Sequence, residues 1–438
     1  LVAVAFRRAA ASFSLLSRSR VVAARSTPTA FLSSRVPARL PSLFQMTKKR
    51  LSTATEKDTR IVWVDCEMTG LEVNEHTIVE IALIVTDAQL NIIAEGPDIV
   101  IHHDEETLSR MNDWCKTTFA KNGLTEKIRA SEVKMDEAEK QVLDFLKEYV
   151  LERQAPLAGN SVYMDRLFIM KYMPLIDVYL DHHLIDVDSI SMLSYRWYPQ
   201  SIACSPKKRM THRAIDDVKE AIAELKYYKK SVFGTHSGAE LLKKKYSHPQ
   251  FEAEKKKYEK PDRIVWMDCK MVTREEDNHT MLQIAVIVTD RKLNIVAECP
   301  EILVHLDEET LSKMNTRCKE AFSENGPIEG IDALKVGMAE AERKVLAFLK
   351  SHVVMRKAPL AGNTIYMERI FIMQHMPRVD AYLSHHVIDV DSISELSRRW
   401  YPSAFESASP KAAKRRALDD IKASIEELKH YRTSVFKA

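Results

Sequence analysis

No apolar run in these 438 residues approaches the roughly 20 needed for a membrane-spanning helix, so the sequence offers no transmembrane segment. The six cysteines (Cys66, Cys115, Cys204, Cys269, Cys299 and Cys318) form no C-x-x-C pair and no zinc-ligand spacing. That excludes a disulfide scaffold and a zinc finger, and reads as reduced, mostly buried thiols. A net charge of +3 gives no global basic field that would by itself point to nucleic acid. Acidic residues are missing altogether before Glu56.

That acid-free stretch is rich in Ala, Ser and Arg, with Arg7, Arg8, Arg18, Arg20, Arg25, Arg35 and Arg39 spread among apolar residues. Residues 1–55 therefore read as a transit peptide for import into the mitochondrial matrix, or a disordered leader, and stand outside the fold. A product starting at Met46 would lack the leader and stay in the cytosol or nucleus.

Beyond the leader, hydrophobic residues at 45% and charged residues at 29% suit ordinary globular domains, and the length predicts two or three of them. Their number is settled by a repeat. IVWVDCEM at 61–68 returns as IVWMDCKM at 264–271, PLAGNSVYMDRLFIM at 156–170 as PLAGNTIYMERIFIM at 359–373, and HHLIDVDSIS at 182–191 as HHVIDVDSIS at 385–394, each at an offset of 203. Solenoid repeats are far shorter, so this is a duplicated domain. The expected boundaries are a first copy at 56–233, a Lys/Glu-rich linker at 234–260 and a second copy at 261–438.

Each copy reads as α/β. In the first, Ile61–Cys66, Thr77–Thr86 and Asn91–Ile101 are β-branched runs that suggest an antiparallel meander. Ala138, Val142, Phe145 and Tyr149 form one apolar stripe at helical spacing. Short strands are expected at Pro156–Gly159 and Ile185–Val187, and helices at Asp165–Met173 and around Val218, Ala221, Ile222, Leu225 and Tyr228. Strands first and mixed elements afterwards imply one mixed sheet covered by helices.

The informative chemistry sits at the end of the first run. Asp65 and Glu67 lie two apart, so on a strand both side chains project to one side. Paired carboxylates at the end of a buried strand are costly unless a cation lies between them, and Mg²⁺ or Mn²⁺ prefers such hard oxygen donors. Alone, D-x-E is compatible with two solvated acids at a strand end. Asp165 at the start of one helix, and His212 with Asp217 as H-x₄-D at the start of another, extend the pair to an ordered set.

That set resembles the DEDD exonuclease superfamily in its histidine-containing branch. EMTGL at 67–71, LSRMNDWC at 108–115, GNSVYMDR at 159–166, KYMP at 171–174, IDV at 185–187, RWYP at 196–199 and HRAIDD at 212–217 are similar to blocks of the oligoribonuclease family. The resemblance implies two RNase H-like domains, each a mixed five-stranded sheet flanked by helices. It implies 3′-to-5′ hydrolysis of single-stranded RNA of 2–7 nucleotides, releasing 5′-mononucleotides. Asp65, Glu67, Asp165 and Asp217 would hold two Mg²⁺ or Mn²⁺ ions, and His212 would take the proton of the attacking water. Leu71 would wedge between bases, Trp114 would stack on one, and Ser161 would touch the 5′ phosphate. His182 and His183 stand where the family usually has Tyr-Arg, whose Arg helps cap that phosphate. A DNA-directed exonuclease of the same superfamily would keep the metal set without the EMTGL, NDWC and RWYP blocks. A non-catalytic RNA-binding protein would have lost ligands that the first copy retains.

In the second copy the equivalent positions are Asp268, Lys270, Glu368, Arg415 and Asp420, and Gly70, Leu71 and Trp114 become Thr273, Arg274 and Arg317. A cation replaces one ligand and a group that stays protonated replaces the base, so this copy reads as a pseudo-enzyme. Family members work as homodimers. The second copy is therefore expected to dock on the first as a built-in partner, the rival being a dimer of two chains through their first copies.

Overall fold

The computed structural model describes residues 59–234, 262–273, 279–305, 336–408 and 416–437, with backbone alone at 271–273 and 279–282. The leader, nearly all of the linker, and Arg274, Arg317 and Arg415 lie outside the described residues.

In the first copy β1 (Ile61–Met68), β2 (Ile78–Thr86) and β3 (Ile92–Val100) form the expected antiparallel meander. β4 (Leu157–Gly159) and β5 (Leu184–Asp186) extend it in parallel, giving a five-stranded mixed sheet in the order β3-β2-β1-β4-β5. Alternation along β1 feeds two faces. Val62, Val64, Cys66 and Met68 pack in one core, while Ile61 and Trp63 pack in the other beneath the helix Ala214–Ser231. Asp65 and Glu67 continue the parity of Ile61 and Trp63, so they fall on the face that helix covers. Gly159 ends β4 where a Cβ would meet the Val64 carbonyl at 2.8 Å, so the close strand approach beside the site needs glycine.

The second copy repeats the plan with β6 (Ile264–Thr273), β7 (His279–Thr289), β8 (Ile295–Glu298), β9 (Ile302–Leu303), β10 (Leu360–Gly362) and β11 (Val387–Asp389). β8 and β9 both pair with β7 and together span the positions of β3. The first copy has a register shift at the same place, between Ala82 and Ile84. On an edge strand carrying a proline without an amide donor, Pro97 in one copy and Pro300 in the other, that irregularity can widen into a break.

The copies meet through bonds that obey the sequence offset. Tyr163 donates to the His385 carbonyl (2.8 Å) and Tyr366 to the His182 carbonyl (3.0 Å). Ser189 donates to the Val387 carbonyl (3.2 Å) and Ser392 to the Leu184 carbonyl (3.0 Å). Their hydroxyls also accept from the Asp389 and Asp186 amides, both at 2.9 Å. Trp197 donates to the Arg291 carbonyl (2.7 Å) and Trp400 to the Ala88 carbonyl (2.6 Å). Phe233 and Phe436 stack with centroids 4.6 Å apart where the linker leaves the first copy. A surface in which i meets j and the copy of j meets the copy of i has the self-complementarity of a twofold dimer, here within one chain.

Candidate active site

Three elements assemble the first copy's acids. β1 supplies Asp65 and Glu67, and the first turn of the helix Tyr163–Tyr172 supplies Asp165. The first turn of Ala214–Ser231 supplies Asp217, with His212 two residues before it. The Cys66 amide donates to Asp165 Oδ1 at 2.8 Å, which ties the middle helix to β1. Donor atoms of Glu67, His212 and Asp217 lie within 4.8 Å of one another. His212 sits at φ +51°, a left-handed conformation uncommon for a side chain of this size. Asn122 holds that turn by donating to the His212 carbonyl at 2.7 Å and the Thr211 carbonyl at 3.2 Å.

Crowding dominates the electrostatics. Burial, then the charges of Asp217, Glu80 and Asp165, pushes the Glu67 carboxyl up to about 8, with Arg213 opposing. Burial lifts Asp165 to about 7 against the pull of the Cys66 amide. Asp65 rises well above the usual carboxylate range through burial, then Asp165, Glu67 and Asp217. Asp217 is raised by burial, with His212 opposing. Several acids that resist ionising together, with an imidazole beside them, are the donor set a hard divalent cation relieves. The residues present therefore fit such an ion.

Leu71 is 60% and Trp114 54% exposed, large apolar side chains left to solvent. The Trp114 ring stands edge-on to His212 at 5.0 Å. Ser161 lies across the first helix turn from Asp165 and donates to Asp188 Oδ2 at 2.6 Å. His182 and His183 do not join the acids; both Nδ1 atoms turn to Asp181, and Asp391 and Glu395 of the second copy act on His183. The second copy's pair repeats this towards the first copy. The His385 carbonyl accepts from Tyr163, and His386 feels the charge of Asp188. Twofold pairing sends each pair across the interface, which linear sequence does not display.

Sequence reasoning also missed a clamp under the site. Glu80, fully buried on β2 opposite Glu67, accepts from Arg213 Nε at 3.0 Å and from the Ala214 amide at 3.3 Å. This fastens the turn carrying His212. A lone acid in the apolar run IVEIALIVT was the available signal. Asn122 left none.

In the second copy Lys270 Nζ lies 2.9 Å from Asp268 and 2.5 Å from Asp420. Burial works against its charge, but the two carboxylates outweigh it and hold the ammonium above its ordinary pKa. A tethered cation thus sits among the acids there. Gln283 replaces Glu80, and Arg416 pairs with Glu301.

The exonuclease family profile matches residues 62–225 and again 265–428. A probable oligoribonuclease of Caenorhabditis elegans is 55% identical over 181 residues, covering 41% of this chain and 93% of that protein. The chain belongs to the oligoribonuclease family. The oligoribonuclease of Rhodococcus jostii is 47% identical over 180 residues (41% of this chain, 90% of that one). The human protein named "Oligoribonuclease, mitochondrial" is 43% identical over 174 residues (40% and 73%). Escherichia coli Exonuclease I overlaps 84% of this chain and 99% of its own, at 13% identity and a TM-score of 0.35, too low to add to the sequence match. As an oligoribonuclease-family member the chain is a 3′-to-5′ exoribonuclease.

Proposed function

We propose that the first copy, bounded at 56–233, degrades RNAs of 2–7 nucleotides to 5′-mononucleotides, and that the second, at 261–438, is its catalytically silent partner. The observation that carries the first half is the raised set of Asp65, Glu67, Asp165 and Asp217 around one point, with His212 against it. Two Mg²⁺ or Mn²⁺ ions held by these carboxylates would neutralise them and stabilise the charge that develops on the phosphate. His212 accepts the proton of the attacking water at an imidazole nitrogen. Glu80, Arg213 and Asn122 fix the turn that aims it. Leu71 and Trp114 offer apolar surface on which any base can stack, so length rather than sequence is selected. Ser161, with His386 of the second copy beside its partner Asp188, receives the 5′ phosphate at the far end.

The reciprocal bonds between the copies support a pseudo-symmetric monomer in place of a two-chain dimer. Lys270 supports the silence of the second site, since its ammonium ligates nothing and repels a metal ion. The acid-free leader and the mitochondrial human relative support import into mitochondria.

Labelled 2- to 7-mer RNAs and matching DNAs, incubated with the purified chain with and without Mn²⁺, test the substrate reading. Metal-dependent release of mononucleotides from the RNAs is the expected result, and equal cleavage of DNA would return the broader exonuclease. Light scattering tests the partner reading. A monomeric full chain agrees with it, whereas a full-length dimer that also forms from 56–233 alone would overturn it.

A further inference from the structure

A second group of metal-binding donors lies outside the carboxylate site, at Asp181, His182 and His183. Asp181 Oδ1 is 3.0 Å from His182 Nδ1 and 2.9 Å from His183 Nδ1, and the three donor atoms lie within 4.8 Å of one another. The imidazole rings lie side by side, with centroids 3.8 Å apart and planes tilted 39°. Consecutive side chains on a strand would diverge; these converge because they occupy the turn before β5. The turn is anchored where the Asp181 amide donates to the Ala155 carbonyl (3.0 Å) and the His183 amide to Asp181 Oδ1 (3.1 Å).

These separations suit coordination as well as hydrogen bonding. Two donors each about 2.1 Å from one ion lie about 3.0 Å apart at a right angle, and about 3.4 Å apart at the tetrahedral angle. The side chains keep 17–31% of their surface, so an ion can enter and water can complete its shell. Two imidazole nitrogens with one carboxylate oxygen favour a borderline transition metal over Mg²⁺. Two further acids, Asp391 and Glu395 of the second copy, add negative potential at His183.

The duplication provides an internal control. At the equivalent turn the second copy keeps both rings, His385 and His386, at the same 3.8 Å, but Ser384 replaces the acid. The Ser384 hydroxyl is 3.4 Å from His386 Nδ1 and brings no charge.

We propose that Asp181, His182 and His183 form a zinc site of one carboxylate and two imidazoles, with water in the remaining positions, separate from the Mg²⁺/Mn²⁺ site of the exonuclease. Because the His182 carbonyl accepts from Tyr366, zinc bound here stiffens a turn on which the second copy rests.

The test dialyses the full-length chain against micromolar Zn²⁺ with millimolar Mg²⁺, which keeps the carboxylate site supplied, and counts retained zinc. Asp181→Ser installs the residue that the second copy already tolerates at this turn, and His183→Gln gives an independent loss of a donor. The wild type and Asp217→Asn are expected to share one zinc that both Asp181→Ser and His183→Gln lose, their affinity falling at least tenfold. Zinc should also raise the melting temperature of the wild type and leave that of Asp181→Ser unchanged. Equal zinc content in the wild type, Asp181→Ser and His183→Gln would overturn the proposal. So would zinc that disappears only with Asp217→Asn, or a wild type that retains none.

Discussion

The two copies keep the same buried core pattern and part company at the carboxylate cluster. Trp63 and Trp266 are both fully buried and donate to Thr86 and Thr289, each at 2.9 Å. β1 and β6 keep the same register against their neighbours through the first seven pairs. Where the first copy gathers Asp65, Glu67, Asp165 and Asp217, the second has Asp268, Lys270, Glu368 and Asp420. The fold tolerates this because its stability comes from apolar faces, whereas a metal site depends on the sign of each charge. One Glu-to-Lys exchange converts a site that calls for a cation into one that carries its own.

The largest effect should come from the first copy's ligands. Asp165→Asn should cut turnover roughly a hundredfold or more, since even a partner one shell out from a metal is typically worth 10–100-fold. Its melting temperature without metal should hold or rise, because a buried acid under repulsion has been neutralised. Steady-state rates on a dinucleotide, beside melts of the same sample, check both halves. Near wild-type turnover would remove Asp165 from the site.

The second contrast is in pH. Glu67 and Asp165 have folded-state pKa values raised to about 8 and about 7, so the folded chain binds their protons more tightly than the unfolded one. Stability of the metal-free protein should therefore fall as pH rises from about 4 towards about 8. Mn²⁺ should recover it. Melts in chelator at pH 5, 6.5 and 8 measure the slope, and Asp165→Asn should flatten it. A metal-free chain equally stable across that range would contradict the crowding.

Lys270→Met sharpens the comparison from the other side. Leaving Asp268 and Asp420 unpaired should cost about 1–3 kcal/mol of stability with little change in turnover. Lost activity at unchanged stability would mean the second site takes part in the reaction.

The smallest effect concerns the phosphate end. Burial holds His386 below the ordinary histidine pKa, so it is mostly neutral at pH 7. Affinity for a 5′-phosphorylated over a 5′-hydroxyl dinucleotide should be flat from pH 7 to 8. It should rise by roughly tenfold or less towards pH 5.5, as the ring gains its charge. His386→Gln should abolish the rise, and a rise that persists in that variant would remove His386 from the phosphate.

Much of this was legible in the chain itself. The β-branched runs, the 203-residue offset and the acid-and-histidine set proposed for the site are local patterns, and the strands Ile61–Met68, Ile78–Thr86 and Ile92–Val100 follow the first of them to within a few residues. Lys270 was readable as a lost ligand because its chemistry excludes coordination whatever surrounds it. The clamp of Glu80 on Arg213 was not, since it joins residues 133 apart through a side-chain contact that no periodicity encodes. Nor were the histidine pairs. The sequence places His182 and His183 at the family's phosphate-capping positions but does not show that Asp391 and Glu395 of the second copy lie beside them. The amino-acid order determined what each copy is made of and where a carboxylate of the first gives way to a lysine in the second. Which copy faces which turn was decided by twofold packing of β5 and β11 against the helices Val390–Trp400 and Val187–Trp197. That packing depends on the shapes of two folded surfaces, and such surfaces exist only once both copies have folded.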